Sequence, residues 1–406
     1  MFRFISIILL FVSILLGQEY PGMYLMNQAS GTSANPEAWP MPMLMKMTGS
    51  WSLMFMGQAY LVDTQATGPR GADKFYSTNY GMFGAQHSLG NGALRFDLML
   101  SLEPATIADR RYPELFQTGE TAFGKPLVDA QHPHNFVMAL GVHYAYPISD
   151  HTIMQVYVAP VGDPALGPVA FPHRASAEEL PQAPLGHHWE DSTHIAFDVV
   201  TAAIQYRNVS LEASGFYGTE PGENRWTIGY GPINSWSTRL SYFPTENWSA
   251  QVSVGHLARP ERQAPGDVFR TTASVSYSLP MPGGSWSTSL IWGRNHELLT
   301  GRNGDAYLLE SVIPFRKRNF FTGRIELVDK DELFDDDPES PLYGQSFRIG
   351  AYTAGYTRDI GRFHKMQTGI GANVTAYSMP GSLQPLYGGH PVTVDVFLRL
   401  RLNPKE

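Results

Sequence analysis

The chain has no cysteine among its 406 residues, so no disulfide can brace it and no thiolate can bind a metal or carry a lipid. Positive charge is also in short supply. Lys and Arg total 29 against 37 Asp and Glu, a formal net charge of −8, which argues against a nucleic-acid partner. After residue 17 no apolar run approaches the roughly 20 residues that a membrane-spanning helix needs. The helical period of apolar residues is nearly missing as well. No Gly-x-Ser-x-Gly elbow and no His-Glu-x-x-His pair occurs, which removes two hydrolase signatures. Disorder is excluded by 43% hydrophobic and 12% aromatic residues.

What is present begins with an address. Arg3, the apolar run from Phe4 to Leu16 and the small Gly17 form a secretory signal peptide over residues 1–17, expected to be cleaved. A Met- and Pro-rich segment, 18–49, follows. A secreted chain of this length without disulfides fits the bacterial envelope.

From residue 50 to 402 the dominant pattern has a period of two. In 392–402 the even positions are all aliphatic, Val392 through Leu402, while Asp395, Arg399 and Arg401 occupy the other face. Leu94, Phe96, Leu98 and Leu100 alternate with Arg95, Asp97, Met99 and Ser101 in the same way. Such alternation is a strand with two unlike faces. About 16 such segments, separated by Gly, Pro, Asn and Asp turns, predict an all-β, antiparallel transmembrane β-barrel with lipid outside and water inside. Its last strand is expected to pair with the first, near residues 51–64. Tyr242, Phe243, Trp248 and Trp286 beside short turns suit an aromatic girdle. Two long loops, 104–133 and 161–192, break the rhythm, and loops of that length are usually functional.

The expected lumen face carries Arg95, Asp97, Glu103, Asp198, Glu212, Arg239, Arg324, Glu326, Arg348, Asp395, Arg399 and Arg401, both signs mixed. Histidine clusters at the ends of the long loops, with His132 and His134 closing one and His187, His188 and His194 closing the other. With Asp129, Glu190 and Asp191 nearby, these imidazoles suit zinc or copper, or else pin the loops by hydrogen bonds. Met41, Met43, Met45 and Met47 recur at every second position, and Met54 and Met56 repeat the spacing. On an extended chain they form a thioether row suited to Cu(I), or an apolar filler. His87-Ser88 and the Asp191–His194 run hold hydrolase residue types, but adjacent strand residues face opposite ways.

These patterns resemble bacterial outer-membrane barrels of the porin type. More closely, Gly68-Pro69-Arg70-Gly71, Leu102–Thr106, Asp163–His173 and Gly186-His187-His188 resemble a conserved, uncharacterised barrel family, and the Met-rich start is similar to copper-tolerance outer-membrane barrels. The resemblance implies an outer-membrane channel for small polar solutes or ions, surrounded by outer-membrane lipid and compatible with an oligomer. A copper- or zinc-binding tolerance barrel is the alternative, and an outer-membrane lipid-modifying hydrolase the third reading.

Overall fold

The computed structural model describes residues 20–191, 196–261 and 265–403; the expected signal peptide and His194 lie outside them. Sixteen long antiparallel strands close into a barrel. In chain order they are β1 (Trp51–Ala66), β2 (Asp73–Leu89), β3 (Gly92–Leu100), β4 (Val137–Ser149), β5 (Thr152–Gly162), β6 (Ala196–Tyr206), β7 (Val209–Tyr217) and β8 (Ser235–Thr245). They continue as β9 (Trp248–Leu257), β10 (Val268–Met281), β11 (Gly284–Glu297), β12 (Asn303–Phe315), β13 (Asn319–Lys330), β14 (Phe347–Phe363), β15 (Met366–Ser378) and β16 (Val392–Leu402).

Each strand pairs with its sequence neighbour, and β16 returns to β1 with Val394 opposite Gln65 and Arg401 opposite Gln58. Closure pairs the main-chain amides of every strand on both edges, which a lipid environment requires. The alternation read in the sequence maps onto this wall. On β16, Thr393, Asp395, Phe397, Arg399 and Arg401 are buried, whereas Val394 and Val396 are exposed. Met154, Val156 and Val158 look outward from β5 between the buried Ile153, Gln155, Tyr157 and Ala159. The exposed aliphatic belt is a lipid-facing surface.

One end of the barrel has tight turns and the other has long connections. Trp248, Tyr277 and Trp286 meet on the outer surface beside the tight turns, with ring centroids 4.7 and 5.5 Å apart. That is the aromatic girdle expected where strand ends reach lipid headgroups.

The interior is packed with three inserted segments. Residues 20–40 enter first, with a short helix (Pro21–Met26) whose Leu25 is fully buried; Ala38 N–H then donates to Glu246 O at a tight turn, 2.7 Å away. The β3–β4 connection folds into a hairpin of its own, Tyr112–Ala122 with Lys125–Gln131. The β5–β6 connection, 163–191, is almost wholly buried.

Two residues expected in the lumen lie elsewhere. Arg348 is exposed on the outer side of β14, its Nη2 donating to Asp329 Oδ2 at 2.8 Å. Ile349, Gly350 and Ala351 are buried in succession, so the alternation slips beside it. Asp198 sits at a register shift between Phe197 and Val200 and accepts a 3.0 Å hydrogen bond from the Gly231 amide of the β7–β8 connection.

Candidate functional site

The charged inner wall forms sockets for the inserted segments. Cross-strand neighbours Glu212 and Arg239 form one pair at 2.7 Å, and Glu310 and Arg324 another at 3.0 Å. Arg239 Nη1 also donates to Gly167 O of the 163–191 segment at 3.0 Å, and its Nη2 to Thr32 Oγ1 of the N-terminal segment at 2.9 Å. Glu326 accepts from the Leu185 amide at 2.6 Å. Arg399 is paired with Glu179 and Asp359, and Arg401 reaches Glu178 at 3.3 Å. Arg95 bonds Asp97 at 2.8 Å and also reaches Leu25 O. Asp395 accepts from Thr64 across the closing seam. Glu103 lies off the wall in a one-turn helix, Glu103–Thr106, where Oε2 accepts from the His134 amide at 2.7 Å.

At the mouth end the two long loops bring three histidines together. His132 follows the inner hairpin, while His187 and His188 lie on a single helical turn, His187–Glu190. The rings of His187 and His188 meet edge to face at 4.1 Å, and that of His132 lies 6.1 and 5.8 Å from them. One nitrogen from each lies within 4.8 Å of the others, and all three residues are buried. His187 Nδ1 is 2.9 Å from Pro184 O, and His132 Nδ1 is 3.2 Å from Pro133 O. Each Nδ1–H is thereby directed to a carbonyl, leaving Nε2 to carry the lone pair. Burial pushes the His132 imidazole down to about 4, and burial with His188 and His132 beside it lowers His187 well below its usual range. Both rings are neutral at pH 7, the form that binds metals.

Carboxylates flank this group. His188 Nδ1 lies 3.6 Å from Glu220 Oε1 and 4.0 Å from Glu261 Oε1; Glu120 Oε1 is 3.3 Å from His132 Nε2. Burial raises Glu220 and Glu261 to about 7 each. A cavity of about 40 Å³, lined by Glu120, Glu220, Glu223, Glu261, Glu332 and Asp335 among others, adjoins the site. Glu220 and Glu261 come from the 218–234 and 258–267 connections, which carry no motif that sequence reasoning could single out.

The other expected metal ligands separate from this cluster. His134 Nδ1 is 2.9 Å from Glu103 Oε2, and Asp191 accepts from Arg174 at 2.9 Å. The methionine row divides. Met45 and Met47 lie on a short exposed strand, Leu44–Thr48, folded back along β1. Met41 and Met43 instead line a cavity of about 20 Å³ with Met54, Met56, Met26 and Met82, the last two unanticipated. His87 and Ser88 do not form a dyad: His87 stacks on Trp51 at 4.9 Å, and the Ser88 hydroxyl is 3.2 Å from Tyr20 OH.

No model of a known protein family and no curated protein sequence matches this chain. Solved structures do match in fold. The anion-selective porin from Comamonas acidovorans aligns with TM-score 0.53 and 13% identity over 87% of this chain and 100% of its own. OmpF of Salmonella typhi, in complex with daunomycin, aligns with TM-score 0.52 and 10% identity over 88% and 100%. OprB of Pseudomonas putida aligns with TM-score 0.51 and 9% identity over 87% and 94%. The architecture is that of the porin-like barrels of the bacterial outer membrane.

Proposed function

We propose that this chain is a narrow porin-like channel of the bacterial outer membrane, passing small ions in preference to larger polar solutes. The carrying observation is the filled lumen. Residues 20–40, the inner hairpin and the 163–191 segment occupy a barrel of porin size, and the spaces between them include cavities of about 20–40 Å³, room for a few waters each. Buried polar groups of both signs line these spaces, as they do in a hydrated pore.

The test is conductance in planar bilayers. The full-length barrel is expected to give small ohmic steps, and a chain lacking residues 20–40 larger ones. A correctly folded full-length barrel that carries no current overturns the reading.

The methionine-lined cavity favours a second reading, a barrel that takes up Cu(I) through thioethers. Cu(I) titration under reducing conditions tests it. Binding should weaken in a Met41→Leu, Met43→Leu double variant, and unchanged affinity removes the reading.

A further inference from the structure

We propose that His132, His187 and His188 bind a divalent transition-metal ion of the Zn²⁺ class inside the lumen, with Glu220 and Glu261 as oxygen donors beside His188. This goes beyond the channel reading and holds whether or not the lumen conducts.

The donor set is argued from its chemistry. Three imidazoles favour zinc and its neighbours in the first transition row, whereas Mg²⁺ and Ca²⁺ seek oxygen cages. The nitrogens lie within 4.8 Å of one another. Tetrahedral Zn–N bonds of about 2.0–2.1 Å place ligand nitrogens roughly 3.4 Å apart, so side-chain rotations of about an ångström close the site. The carbonyls of Pro184 and Pro133 accept from the Nδ1–H groups of His187 and His132 at 2.9 and 3.2 Å. That is the outer-shell arrangement which fixes tautomer and ring orientation at histidine metal sites.

Charge points the same way. Glu120 Oε1 lies 3.3 Å from His132 Nε2 while its other oxygen is paired with Arg225, so a carboxylate stands beside the three imidazoles. Glu220 and Glu261 add two acidic groups within 4.0 Å of His188. Three cations are near: Arg225 is paired with Glu120, the charge of Arg270 acts on Glu220 and Glu261, and the Lys330 ammonium is taken up by Gln117 Oε1 at 2.8 Å and by the Trp189 ring face. The acidic cavity beside Gly119 offers an entry path, because Glu223, Glu332 and Asp335 on its lining are only half-buried. Gly119 itself leaves the room: a Cβ there would come within 2.7 Å of the His188 ring.

The ligands come from two loops that are far apart in the sequence, with carboxylates from two further connections. A bound ion would therefore lock four segments together at the mouth end. A pair of histidines serving only as hydrogen-bonding pins would have no need of this convergence.

The experiment uses the full-length untagged barrel, folded in detergent, stripped with chelator and titrated with ZnCl₂ by calorimetry, with metal content read by mass spectrometry. One Zn²⁺ per chain is expected. His187→Ala and His188→Ala should each weaken binding by more than about a hundredfold, beyond the 10–100-fold typical of losing an outer-shell partner. Glu220→Gln should cost about tenfold, and His256→Ala should change nothing. Co²⁺ should give the visible bands of a four- or five-coordinate site, and Mg²⁺ should not compete. Where an alanine variant fails to fold, His188→Gln is read in its place. A folded barrel that binds no stoichiometric Zn²⁺, histidine variants that bind as wild type, or displacement by Mg²⁺ each overturn the proposal.

Discussion

Arg174 in the 163–191 segment donates from Nε to Glu310 of β12 at 2.6 Å and from Nη1 to Asp191 at 2.9 Å, with all three side chains at most 1% exposed. The guanidinium holds the loop to the wall and ties the loop's middle to its C-terminal end. Removing it leaves Asp191 buried without its cation, while Glu310 keeps Arg324, a loss of about 3–5 kcal/mol. Arg174→Ala should therefore expose residues 163–191 to limited proteolysis while the far-UV β signal stays. Arg174→Lys, which keeps the charge but not the fork, should rescue only part of the protection.

The lipid-facing belt makes a second prediction. Leu290 near the middle of β11 is 58% exposed, whereas its neighbour Ser289 is buried inside. Leu290→Arg should destabilise the barrel by about 2–4 kcal/mol at the bilayer midplane. Ser289→Ala should cost far less. Urea unfolding from lipid vesicles compares the two, and equal costs would contradict the assigned faces.

Gly293 on β11 faces the loop backbone, and a Cβ there would lie 2.1 Å from Trp189 O. Gly293→Ala should push the His187–Glu190 turn off the wall, at an overpacking cost of about 1–3 kcal/mol. Quenching of Trp189 fluorescence by iodide, with the other tryptophans replaced, should rise as the turn loosens.

The inner hairpin should respond to pH. Asp129 is paired with Arg70 at 2.6 Å, accepts from Tyr387 OH at 3.2 Å and has Asp336 nearby, yet burial raises its carboxyl to about 6. The docked form holds its proton more tightly than the undocked form, whose value is near 3.9. Docking is thus fully supported below about pH 4 and loses on the order of 3 kcal/mol as pH rises through 6. Amide exchange in residues 112–131 should quicken across that window, and Asp129→Asn should flatten the response.

The wall was largely legible from residue alternation. The strand read at 392–402 is β16, and the segment at 51–64 forms most of β1, its partner in the closing seam. Alternation reports a face only while the register holds, which is why Asp198, at a register shift, and Arg348, beside three successive buried residues, were misplaced. The histidine cluster was half legible. His132, His187 and His188 stand out by residue type, but their convergence with Glu220 and Glu261 is set by the ring, which brings non-neighbouring connections to one mouth. Met26 and Met82 were invisible for the same reason: nothing local ties them to Met41 and Met43.

The three segments filling the lumen are attached to the wall differently. The inner hairpin and the 163–191 segment are tethered at both ends, between β3 and β4 and between β5 and β6, whereas residues 20–40 precede β1 and lead into it. A filler on a leash acts at a high, fixed effective concentration, so unblocking is a first-order event independent of how much protein is present. A double tether also limits how far a segment can withdraw.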